Sequence, residues 1–237
     1  PPAALRVPGP LSPRNASYQI RARLDEKAHS VSGTAVLSWR NLEKQPADRL
    51  VFHLYYNAFK NDASTFIREA GRNLRGDMMP EGSYGAMDVT ALKVNGQDLL
   101  ARAVVDDTLL IVPLPQPVGP SAAAQVELTF TAKLPGIFAR AGYQGDFHAI
   151  TQWFPKIGVF DCEGTACRWR ARQYHGYTEF FADYGVYDVE LDAPAGAVVG
   201  ATGVPVSDER RGDRHLWRFH AEDVHDFALM TDPRFVV

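Results

Sequence analysis

Cysteine is scarce in this chain. Its 237 residues hold two, Cys162 and Cys167, in the stretch "DCEGTAC". Two thiolates supply half of a tetrahedral zinc shell, which argues against a cysteine-built zinc site. The spacing suits a small disulfide closed over the turn at residues 163–164, a loop worth roughly 2 kcal/mol in the chain-entropy description. A disulfide in turn points to an exported protein. Long apolar runs are missing as well. The strongest short one, "TLLIVPLP" at residues 108–115, breaks at Pro113, well short of the ~18 residues a membrane-spanning helix needs. The net charge is −3 and no basic stripe is visible, so nucleic acid is not an expected partner. The opening "PPAALRVPGPLSPRN" has no basic segment followed by an apolar one, so it does not read as a signal peptide. Residues 1–16 read as an extended, Pro-rich lead-in.

Catalytic signatures are also lacking. No G-x-S-x-G, G-x-x-x-x-G-K-[ST] or G-x-G-x-x-G occurs, which removes the commonest nucleophile and phosphate-binding loops. Seven histidines are present, at positions 29, 53, 148, 175, 215, 220 and 225. The nearest thing to a ligand pair is "HAEDVH", with His220 and His225. Their spacing of five fits neither a helix face nor a strand face. No metal ligand set is expected in this chain.

What is abundant is alternation. "YQIRARLD" puts Tyr18, Ile20, Ala22 and Leu24 on one face, and Gln19, Arg21, Arg23 and Asp25 on the other. That is the pattern of a half-buried strand. "KAHSVSG" reads as the turn into a second strand, "TAVLSW". "RLVFHLYY" places Leu50, Phe52, Leu54 and Tyr56 on one side, and "QVELTFTAKLP", "VYDVELDAP" and "LWRFHAED" continue the habit. Asn95–Gly96 marks a tight hairpin, because both residues tolerate positive φ. "ERRGDR" at residues 209–214 reads as another hairpin tip. Strands at such intervals, separated by Gly and Pro, predict an all-β, mostly antiparallel, sandwich-like domain with curved sheets. The polar stretch at residues 60–87 departs from the pattern. A short helix is expected at residues 64–70 and a surface excursion over the rest.

Carboxylates gather near aromatic residues. Asp161, Glu163, Glu179 and Asp183 accompany Trp153, Phe154, Trp169, Tyr174, Phe180 and Phe181. A glycosidase-like acid pair is one reading of that region. The plainer reading is core aromatics with acidic loops.

Three segments, "TQWFPKIGVFDCEG", "QYHGYTEFFADYGVYDVELDAPAGAVVGATG" and "WRFHAEDVHDFALMTDPRF", occur in this order, preceded by "YQIRARLDEKAHSVSGTAVLSWRNL" and "LVFHLYYNAF". Together they resemble the N-terminal domain of aminopeptidase-N-type zinc metallopeptidases, from about Tyr18 to Phe235. The resemblance implies a saddle-shaped β domain over residues 17–237, ending where a thermolysin-like catalytic domain would begin. That domain of the same polypeptide would carry the zinc, an H-E-x-x-H motif and a G-x-M-E-N motif, none of which stands in this sequence. The parent would remove N-terminal residues from peptides, with zinc polarising the carbonyl and activating water.

In the family this domain lends a Gln or Glu to the substrate amine at the domain junction. Gln144, Asp146 and Gln152 are the candidates here. Candidate residues for the face toward the catalytic domain are Trp153, Phe154, Phe160, Phe227 and Phe235. By itself the chain is expected to bind no cofactor and to catalyse nothing. The alternative is a stand-alone β-sandwich module binding sugar or protein.

Overall fold

The computed structural model describes residues 9–74 and 76–236. Strand makes up 55% and helix 6%. The period-two segments form one eight-stranded sheet. Its order is Val204–Arg211, Arg214–Val224, Gly185–Pro194, Ala16–Asp25, Ser30–Arg40, Ala123–Lys133, Ala86–Val94 and Gln97–Asp98. The alternation is complete in Ala123–Lys133, where every second residue is buried. The Asn95–Gly96 hairpin is present: φ is 51° and 80° at these residues, and Val94 faces Gln97. The tip at residues 211–214 is present too, with Arg211 opposite Arg214.

One pairing could not come from local signals. Ala16–Asp25 runs parallel to Gly185–Pro194, with Tyr18 opposite Tyr187. Parallel neighbours need a long crossover, and here most of the chain supplies it. Gly185 starts the later strand so close to the first that a Cβ there would meet the Ala16 carbonyl oxygen at 1.8 Å.

Two four-stranded sheets complete the layers. One is ordered Lys156–Ile157, Ala47–His53, Leu109–Val118, Val104–Asp106; the other is Gly142–Gln144, Phe147–Ile150, Leu229–Asp232, Val198–Ala201. Tyr18 shows how the large sheet meets the first of these. Its ring lies 5.2 Å from those of Tyr187 and Phe154, and its hydroxyl accepts from the Ile157 N–H at 2.8 Å. One hydrophobic cluster joins the large sheet to both four-stranded sheets.

Two expectations are corrected. The strand at "RLVFHLYY" ends at His53, and Tyr55–Phe59 forms a 3-10 helix. Val51, His53 and Tyr55 are buried along with the predicted face, because this strand is paired on both edges and covered on both sides. Residues 60–87 are not all surface. The helix is Thr65–Ala70, capped by Ser64, whose Oγ accepts from the Ile67 N–H. Phe66 and Met79 are buried in the core. Residues 1–8 of the lead-in lie outside the described residues, and residues 9–15 form no helix or strand. Asp223 accepts from the Ser12 hydroxyl at 2.6 Å and from Arg14 Nη2 at 2.7 Å.

Candidate functional site

The segment "QWFPKI" carries one charge among apolar neighbours, and that charge is buried. Lys156 stands opposite His53 in the sheet, and its side chain is 1% exposed. An isolated buried ammonium is costly, so it requires a partner. Asp226 supplies it, with Oδ1 2.5 Å from Lys156 Nζ. The same carboxylate accepts from the Phe227 N–H at 2.8 Å and from Gln152 Nε2. Trp153 Nε1 donates to the Phe227 carbonyl at 2.8 Å. Three of these contacts clamp residues 152–156 to residues 226–227.

Electrostatics follow from this burial. Burial pushes the Lys156 ammonium down to about 8, and the Asp226 carboxylate only partly restores it. His53 is pushed down to about 4, by burial first and then by the Lys156 charge. It is therefore neutral, and neither ring nitrogen has a hydrogen-bond partner. Gln152 sits at φ 55° with its Oε1 buried and unpartnered. A left-handed non-glycine residue beside unpaired polar atoms is a form of stored strain that gathers at functional positions. Asp226, 22% exposed, is the member that reaches solvent.

The three anchor candidates are not brought together. Gln152 belongs to the buried clamp. Gln144 and Asp146 flank the tip of the exposed hairpin between Gly142–Gln144 and Phe147–Ile150. With Phe147, Asp232 and Arg234 they line a shallow cavity. Arg234 holds the Asp232 carboxyl down to about 2.

The candidate interdomain face is corrected. Trp153, Phe154 and Phe227 are 0% exposed; their rings fill the space between sheets, so they cannot form an outer surface. Phe160 is partly buried against the core, and Phe235 is 38% exposed beside Phe147.

The carboxylates of the glycosidase-like reading are dispersed among cationic and amide partners. Asp161 meets Arg170, Glu163 meets Arg168, and Glu179 meets Arg140. Asp183 accepts from Asn15 Nδ2 at 2.7 Å, and burial pushes its carboxyl up to about 6.

Cys162 and Cys167 form the disulfide, across paired strands Phe160–Glu163 and Ala166–Trp169. Glu43 lies near both sulfurs, the one group of three possible metal ligands among the described residues. Disulfide sulfurs are not thiolates, so the oxidised group is not a metal site. His220 bonds Asp188 at 2.7 Å, and His225 packs edge-on against Tyr184.

The clamp was missed at the level of sequence. Two signals could have found it: the lone lysine in "WFPKIGVF" and the lone aspartate in "HDFALM". A single charge inside an apolar run, if the run is core, must find an opposite charge.

No protein-family model matches the chain, and no curated protein matches it. Solved structures do. The M1 zinc metallopeptidase from Deinococcus radiodurans bound to a Tyr-Ser-Ala substrate is similar over 91% of this chain, at 17% identity and a TM-score of 0.56. A second structure of the M1 zinc metallopeptidase from that organism is similar over 93% at 16% identity, also with a TM-score of 0.56. A two-domain M1 zinc metallopeptidase bound to L-arginine is similar over 93% at 16% identity, with a TM-score of 0.55. The matched part is 41% to 43% of those proteins, so this chain spans about two-fifths of their length. At such identity the likeness is one of fold: this chain folds like the matched two-fifths of those proteins.

Proposed function

We propose that this chain is the N-terminal, non-catalytic β domain of an exported zinc metalloaminopeptidase. The observation that carries the reading is the partial match: an M1-like fold over nearly all of this chain but two-fifths of those proteins, in a sequence without H-E-x-x-H. Zinc belongs to a catalytic domain of the same polypeptide. There it would polarise the scissile carbonyl of a peptide substrate and activate water. Residues 17–237 pack on that domain and wall one side of its active site. Phe235 and Phe160, the partly exposed members of the aromatic set, contribute to the shared face. The Cys162–Cys167 disulfide supports export. No helix among the described residues is long and apolar enough to cross a membrane.

Asp146 is the amine anchor that accessibility supports. It is exposed at the hairpin tip, whereas Gln152 has Oε1 buried and Nε2 pinned by Asp226. An ammonium group needs an acceptor it can reach, and a carboxylate offers a charge-assisted one.

The test uses the polypeptide that carries both domains and an aminoacyl-anilide substrate. Asp146→Ala should raise KM by at least about 10-fold, the order expected for losing a charge-assisted hydrogen bond, and Asp146→Glu should restore it. Gln144→Ala should leave KM unchanged. An unaltered KM in Asp146→Ala would overturn the anchor. Aminopeptidase activity in the 237-residue chain alone would overturn the non-catalytic assignment.

A further inference from the structure

His29 and His148 stand 119 residues apart, yet His29 Nδ1 lies 3.0 Å from His148 Nε2. His29 closes the turn after Ala16–Asp25, at φ 48°. Its ring lies flat on Tyr143, with centroids 3.5 Å apart and planes 5° from parallel. His148 is 2% exposed in the Phe147–Ile150 strand. Both imidazoles are therefore held in place by packing.

The tautomer of His148 is set by its other nitrogen. Nδ1 lies 3.0 Å from the Asp146 carbonyl oxygen, which can only accept. The proton is on Nδ1, and the Nε2 lone pair points toward His29. An imidazole that donates one N–H to a backbone carbonyl and offers its other nitrogen is the arrangement found around bound transition metals.

The local field is acidic. Asp25 and Asp146 act on His29, while Asp146 and Glu26 act on His148. Asp232 also faces His148, but Arg234 holds it.

We propose that His29 Nδ1 and His148 Nε2 form a two-imidazole site for a borderline divalent transition cation such as zinc, nickel or copper. Imidazole nitrogens suit these ions. Two nitrogens on one tetrahedral ion at ~2.0–2.1 Å stand roughly 3.3 Å apart, so the pair opens by a few tenths of an ångström as the rings turn. His29 moves its proton from Nδ1 to Nε2, with no net proton change. Water completes the coordination, since Glu26 in the same turn pairs with Arg214 at 3.6 Å. This site is separate from the zinc of the proposed parent and does not rest on that reading.

The experiment titrates the 237-residue chain alone, in metal-free buffer at neutral pH, with zinc and then nickel by calorimetry. One equivalent should bind with micromolar affinity. His29→Gln and His148→Gln should each weaken binding at least about 10-fold, as perturbing histidine ligation does elsewhere. His175→Gln, at a half-buried ring bonded to Glu69, should have no effect. Because a core variant can misfold, nitrogen-15 spectra of the unaltered chain provide a second readout. Zinc should shift His29 Nδ1 and His148 Nε2. No heat at millimolar metal, or a shift confined to other histidines, would overturn the proposal and leave the pair a neutral hydrogen bond.

Discussion

Lys156 offers the sharpest test of how this core is built. Its ammonium titrates near 10.5 when exposed and near 8 when folded, because burial outweighs the help from Asp226. Between these values the unfolded chain binds more protons than the native one, so stability rises with pH. With those two values the rise amounts to about 2 kcal/mol between about pH 7 and about pH 9.5. The upper limit stays below 10, since burial pushes the Tyr18 and Tyr187 hydroxyls up and their contribution is lost once unfolded tyrosines ionise.

Urea unfolding followed by tryptophan fluorescence, repeated across that range, gives the curve. Lys156→Met should abolish the rise. It should cost about 1–3 kcal/mol at neutral pH, because Asp226 is 22% exposed and keeps its bonds from Gln152 and Phe227. Asp226→Asn should cost more, about 3–5 kcal/mol, since it strands an ammonium that is 1% exposed. Its deficit should shrink as pH rises and the lysine sheds its proton. Parallel stability–pH curves for the unaltered chain and Lys156→Met would refute the reasoning. So would a smaller penalty for Asp226→Asn than for Lys156→Met.

Two further outcomes follow from the same packing. Asp183 has its carboxyl raised to about 6 by burial, so its contribution to stability is present in acid and lost as pH rises from the unfolded value toward 6. Asp183→Asn should therefore stabilise the chain at neutral pH by up to about 3 kcal/mol and by nothing near pH 4; equal melting temperatures at neutral pH would contradict this. Trp153→Ala should cost about 3–5 kcal/mol for the cavity, plus the orphaned Phe227 carbonyl that Trp153 now satisfies. A loss under about 1 kcal/mol, typical of a surface position, would return Trp153 to an outer face.

Much of the architecture was legible in the sequence. Ile20, Leu128 and Phe130 alternate with polar neighbours, and all three are buried. The Asn95–Gly96 turn and the Cys162–Cys167 bridge were also readable, since each depends on residues a few positions apart. Backbone preference, side-chain alternation and short-loop closure are local properties that the amino-acid order specifies directly.

Contacts across long separations were decided only by the tertiary structure. Which strand lies parallel to Ala16–Asp25, whether Trp153 and Phe154 face outward or inward, and how His29 meets His148 all depend on the joint packing of three sheets. The buried charge of Lys156 belongs to the same class. The sequence shows an ionisable residue in an apolar run, but its partner, Asp226, comes from a loop 70 residues later. Pairing at that range is set by where whole elements come to rest, because a buried charge or imidazole answers to its neighbours in space and not to its neighbours in the chain.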